Sequence, residues 1–172
     1  MASGQYSTAY PVGTDFLESS YTFDTEGRMT GQTSPGAHDL LETAEVPGDV
    51  HAYGFDEMGR PKTMNSTAPG GAQTPWISNV VYDASSQPTS IATTNSQVNA
   101  ETRVYNVLGQ LTSLTTGSQR FEYDFSLAAN DGRITAAQTY ASNTLQESIT
   151  YGYDQVNRLT SANAGSWSAS YG

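Results

Sequence analysis

The sequence predicts an all-β chain built from consecutive β-hairpins. Three observations carry that prediction. A short pattern of alternating aromatics, an Asp, a turn and an Arg recurs along the chain. The intervals between its Asp or Asn anchors are irregular, from 18 residues (106 to 124) to 32 (24 to 56). The composition is polar and rich in Tyr and Thr, with 36% hydrophobic and 14% charged residues.

The clearest copy is Tyr151-Gly152-Tyr153-Asp154-Gln155-Val156-Asn157-Arg158-Leu159-Thr160. Alternation with period two puts Tyr151 and Tyr153 on one face of a strand. Asp154, first in the turn, can accept a bond from the backbone two residues on. Asn157, fourth in the turn, tolerates positive φ and can form the bulge that closes a hairpin. The stretch therefore reads as strand, turn, strand.

Residues 1–20 read as an irregular lead-in or half-repeat, and residues 21–172 as the hairpin array. Tyr21, Phe23, Asp24, Gly27 and Arg28 match the pattern at every key position. Residues 31–50 form a long return. Thr33-Ser34-Pro35-Gly36 signals a turn, His38 to Glu42 suits one helical turn, and Pro47-Gly48 would end it. Tyr53, Phe55, Asp56, Gly59 and Arg60 form the second copy, with Pro61 in the final apolar position. Residues 65–75 read as the clearest loop, after which Trp76-Ile77 resumes a strand. Tyr82-Asp83 opens a decayed copy. Tyr105, Asn106 and Gly109 form another, with Gln110 in place of Arg. Phe121, Tyr123 and Asp124 open a sixth copy, whose turn is enlarged (residues 125–131) before Gly132-Arg133-Ile134. Tyr171-Gly172 repeats the start of the Tyr151 copy, as a seventh would.

Self-similarity at such intervals marks a repeat architecture in which one unit cannot bury its own apolar face. Variable spacing argues against a strict solenoid. It suits hairpins side by side in a long antiparallel sheet, with length changes absorbed in loops. A single hairpin is marginal alone, and neither end of the chain resembles the polar cap that terminal repeats need. The bare edges call for more of the same polypeptide or another copy of this chain.

Tyr-x-Tyr-Asp-x-x-(Gly/Asn)-Arg-Leu resembles the YD repeat of rearrangement-hotspot (Rhs) proteins, related to repeats in the C subunits of insecticidal toxin complexes and in teneurins. The resemblance covers residues 21–172. It implies a curved sheet that spirals into a hollow shell or tube-like strip, often enclosing a toxin polypeptide. It also implies an extracellular or cell-surface location. A self-cleavage segment of the Asp-Pro-x-Gly kind, known in these shells, has no counterpart in this sequence.

The net charge of −10, with seven basic residues, excludes the basic patch that nucleic acid requires. It also disfavours an anionic membrane surface. No apolar run reaches the roughly 20 residues of a membrane helix, so no membrane insertion is expected. The N-terminus lacks the basic and apolar segments of a secretory signal. With no Cys, disulfides contribute nothing.

The recurring Asp residues invite comparison with paired catalytic carboxylates, of which a glycosidase needs only two. Their constant neighbours favour turn capping instead. The repeated Arg residues suit turn carbonyls or a Tyr face. His38, Asp39, Glu42, Glu45, Asp49 and His51 form the only group with metal-ligand side chains, and their spacing fits no zinc or calcium pattern. No Gly-x-Ser-x-Gly elbow is present. The expectation is a structural protein with no catalytic residue, metal or cofactor. A surface glycan is the alternative ligand, read from the Tyr rows and testable through the fluorescence of Trp76 and Trp167. Asn65-Ser66-Thr67 has the form of a glycosylation acceptor, a pattern common by chance.

Overall fold

The computed structural model describes residues 5–12, 15–38, 45, 46, 48–94 and 99–172. No helix occurs among them. The chain divides into two compact units, residues 1–80 with 92–98, and residues 81–91 with 99–172.

The first unit holds a six-stranded antiparallel sheet. Its strands are β1 (Gln5–Val12), β2 (Asp15–Phe23), β3 (Met29–Thr33), β6 (Val50–Phe55), β7 (Pro61–Thr67) and β8 (Gln73–Ile77), adjacent in that order. β1 pairs with β2 along its whole length, from Gln5 opposite Thr22 to Val12 opposite Asp15. The lead-in thus contributes a full strand. The long return between β3 and β6 carries a separate ribbon, β4 (Ala37–His38) against β5 (Glu45–Val46). His38 therefore lies in a strand opposite Glu45, and residues 39–42 of the expected helical turn fall outside the described residues. The loop expected over 65–75 is shorter, because β7 runs to Thr67 and β8 begins at Gln73.

A nine-stranded sheet makes up most of the second unit. Its strands are β9 (Asn79–Tyr82), β10 (Pro88–Ala92), β11 (Glu101–Tyr105), β12 (Leu111–Thr116), β13 (Gln119–Phe125), β14 (Ile134–Ala141), β15 (Thr144–Tyr153), β16 (Leu159–Ala164) and β17 (Ser168–Ser170). They lie in sequence order. This is what hairpins joined by short connections should give, since consecutive strands then become neighbours.

Neither unit has a thick core. Among the described residues only Ala162 (3% exposed) and Ser19 (8%) are buried, and no large side chain is fully buried. The repeat aromatics Tyr21, Phe23, Tyr53, Phe55, Tyr82, Tyr105, Phe121, Tyr123, Tyr151 and Tyr153 are half-buried. Stability must therefore come from many cross-strand pairs, each contributing about 0.2–1 kcal/mol, and from the turns.

Candidate functional site along the turn edge

Five turns share one geometry. In the first, Asp24 Oδ1 accepts the backbone N–H of Glu26 and of Arg28, both at 2.9 Å, and Asp24 Oδ2 accepts Arg28 Nε at 2.7 Å. The backbone closes the same loop, with Asp24 N–H donating to Arg28 O (3.0 Å) and Gly27 N–H to Asp24 O (3.1 Å). The turns at Asp56–Arg60 and Asp154–Arg158 repeat every one of these bonds, with the Arg Nε to Asp Oδ2 bond again at 2.7 Å.

The two degenerate copies keep the fold of the turn with other residues. Asp83 caps Ser85 and Gln87 N–H at 2.8 and 2.9 Å. Asn106 Oδ1 caps Leu108 and Gln110 N–H at 3.0 Å, and its Nδ2 donates to Gln110 Oε1 at 2.6 Å. The fourth residue has positive φ in all five: Gly27 (80°), Gly59 (77°), Ser86 (63°), Gly109 (75°) and Asn157 (67°). A β-branched side chain is strained there, by about 1–2 kcal/mol. Gly109→Val should therefore lower stability by about that amount in a urea titration, the more so because a Cβ at Gly109 would lie 3.3 Å from Gln87 Nε2.

Four of these strands end in a bulge at the aromatic just before the Asp or Asn. Phe23 faces Met29, Phe55 faces Pro61, Tyr105 faces Leu111 and Tyr153 faces Leu159, each just after a register shift. In the sixth copy the residue in that place is Phe125, opposite Ile134. The Tyr123-Asp124 dipeptide thus stands two residues before the turn. Asp124 remains in the strand, where its carboxylate accepts Gln138 Nε2 at 3.0 Å. The enlarged turn is capped by residues that sequence matching passed over. Ser126 Oγ accepts Ala129 N–H (3.1 Å), Asn130 Oδ1 accepts Gly132 N–H (3.0 Å), and Asp131 accepts Arg133 N–H (3.2 Å) while pairing with its guanidinium. Gly132 again takes positive φ, 92°.

Successive turns are linked by the fifth residue. Arg28 lays its guanidinium over the Phe55 ring, 5.0 Å from the centroid, and Arg133 does the same over Tyr153 at 5.0 Å. Where Gln replaces Arg, an amide does the reaching. Gln87 Nε2 donates to Gly109 O at 2.7 Å, and Gln110 exchanges bonds with Asn130 at 2.9 and 2.6 Å. A return bond reinforces two of these links: Tyr105 Oη donates to Pro88 O (3.0 Å) and Tyr153 Oη to Ile134 O (2.9 Å).

The electrostatics follow from the caps. The Arg28 guanidinium and the Arg28 and Glu26 N–H groups hold the Asp24 carboxyl below the usual carboxylate range. The Arg60 backbone N–H, then its side chain, does so at Asp56. Arg158 acts on Asp154 in the same order, and the Arg133 side chain lowers Asp131. These shifts belong to capped turns.

Beneath the turns lie matching hollows. One of about 460 Å³ in the first unit is lined by Met29, Tyr53, Phe55, Pro61, Met64 and Ile77, with Arg28 above. One of about 470 Å³ in the second is lined by Leu111, Tyr123, Phe125 and Ile134, with Gln110 above. Each lies between the end of one turn and the two aromatics of the next hairpin. Among the described residues no group of three or more His, Asp or Glu side chains converges. Of the residues in the His38–His51 group, His51 approaches Ser34 Oγ at 3.4 Å through Nε2.

No protein-family model and no curated relative matches the chain. Solved structures do. A TcdB2-TccC3 structure lacking its hypervariable C-terminal region superposes with a TM-score of 0.71 at 19% identity, over 87% of this chain. A TcdB2-TccC3-Cdc42 structure gives the same values. The Photorhabdus luminescens Tc holotoxin pore with a mutated TccC3 gives 0.71 at 17% identity over 92%. This chain spans only 7–8% of the length of those chains. With the repeated turn, the likeness establishes the architecture: the chain has the Rhs-type fold, an all-β array of YD-repeat hairpins shared with a segment of these toxin-complex structures.

Proposed function

We propose that this chain is a non-enzymatic structural strip, a run of hairpin sheet that builds a shell or assembles end to end outside the cell. The single observation that carries the reading is the linkage from turn to turn. In four turns one residue, Arg28, Gln87, Gln110 or Arg133, is committed to the next hairpin, so the turn edge is organised for continuation. The repeat aromatics, which a ligand-binding face would need exposed, are half-buried. The likeness to toxin-complex structures supports a place in a larger shell, with further repeats or copies of this chain as partners and an enclosed polypeptide as cargo.

Negative-stain microscopy and light scattering over a concentration series test the assembly arm. Particles that grow with concentration are the expected result. Small uniform particles at every concentration would remove self-assembly and leave the passive shell strip.

A surface glycan is the second reading. It is favoured by the exposed aromatics Trp76, Trp167 and Tyr171, 38%, 42% and 50% exposed. Trp167 already donates its indole N–H to Glu147 at 2.9 Å. A glycan array read alongside tryptophan fluorescence should show no response; a saturable shift in emission would restore this reading.

A further inference from the structure

The chain has six Arg and a single Lys. Every Arg pairs with a carboxylate, Arg28 with two. Lys62 has no carboxylate partner among the described residues, in a chain whose net charge is −10. Its position also breaks the repeat. The second residue after the fifth turn position is Thr in the other five hairpins: Thr30, Thr89, Thr112, Thr135 and Thr160. Three of these hydroxyls donate to a backbone carbonyl of the same hairpin, Thr89 to Val81 O (3.3 Å), Thr112 to Val104 O (3.1 Å) and Thr135 to Asp124 O (3.2 Å). The bond that explains Thr at this place does not explain a lysine. Lys62 is exposed, and it lines the hollow of about 460 Å³ together with Met29, Tyr53, Phe55, Met64 and Ile77. All residues around that hollow belong to the first unit. No charged side chain lines the matching hollow of the second unit.

We infer that the hollow of the first unit binds a small apolar carboxylate, a free fatty or arylalkyl acid, whose head group pairs with the Lys62 ammonium. The site is independent of the strip reading above. The volume falls within the roughly 300–1,000 Å³ of small-molecule sites. The wall is nearly all apolar, so the body of the ligand must be apolar and a sugar's hydroxyls would lack partners. Met29 and Met64 are unbranched and adapt to varied shapes. The lysine stem can cover apolar surface while its ammonium stays in water. A carboxylate at the mouth therefore gains a partner without burying either charge. Charge fixes the sign of the head group. The other cation at the hollow, Arg28, is already held by Asp24 and Glu26 and covers Phe55. Lys62 is left as the cation that an incoming anion can neutralise.

Methyl NMR of the full chain labelled at methionine tests the inference, with octanoate titrated to about 10 mM. The Met29 and Met64 methyl signals should shift saturably, while Met58, 71% exposed in a turn, should not follow them. Lys62→Thr restores the residue of the other hairpins, so the melting temperature should not fall. Its affinity for octanoate should be about fivefold lower, the scale of a solvent-facing ion pair. Octylammonium, with the same chain and the opposite charge, should give no saturable shift at Met29 or Met64. The site is overturned if octanoate moves neither signal or moves Met58 with the same midpoint. It is overturned equally if Lys62→Thr binds octanoate as tightly as the wild-type chain, or if octylammonium binds as well as octanoate.

Discussion

Replacing Tyr153 by alanine is expected to cost about 2–4 kcal/mol, read as a lower urea midpoint. The residue is only half-buried, so the loss should fall toward the lower part of the range for truncating a core aromatic. Two contacts go at once. The ring lies under Arg133, and the phenol donates to Ile134 O at 2.9 Å. Tyr153→Phe separates them. It keeps the ring and loses one neutral hydrogen bond, so it should cost only about 0.5–1.5 kcal/mol. A phenylalanine variant as damaged as the alanine variant would show that the hydroxyl, and not the stacked ring, joins the two hairpins.

Acid should unfold the protein through its turns. The carboxyls of Asp24, Asp56, Asp131 and Asp154 titrate below the usual carboxylate range when folded. A depressed folded value means that the stability is fully present above the unfolded value, about 3.9. It is lost as pH falls, because the unfolded chain takes up protons that the folded chain resists. The melting temperature should stay flat from pH 7 to about pH 5, then drop through pH 4 and below. Asp56→Asn should make that drop shallower. Asparagine keeps the oxygen for the two backbone N–H groups, as Asn106 does in its own turn, but has no charge to titrate. An equally steep acid limb in Asp56→Asn would move the cause away from that turn.

The turns were legible in the sequence because they are local. Every bond of the Asp24 cap lies within four residues, so residue types alone define it. Even the copy at Asp83 forms the same turn, with Ser86 taking the φ that Gly takes elsewhere. The sixth copy was misaligned for the opposite reason. Tyr123-Asp124 has the right letters, but register is set by pairing across the hairpin, which puts Phe125 opposite Ile134. The linking glutamines were equally hidden. A Gln in place of Arg looks like decay until Gln87 is seen to reach Gly109, 22 residues away. The residue-by-residue pairing of β1 with β2 had no motif to announce it, and only its partner strand reveals it.

Every strand of the nine-stranded sheet lies beside its neighbours in sequence. Such a topology has low contact order, so pairing can spread from any hairpin without closing a long loop first. It also makes the hairpin a unit of evolutionary gain and loss. Removing β13 and β14 together would leave β12 to meet β15 in the same antiparallel sense, and duplicating them would only lengthen the sheet. The six-stranded sheet already shows the tolerance: β3 pairs directly with β6 while the β4–β5 ribbon stands outside the ladder. Chains of this design can change length by recombination without changing fold.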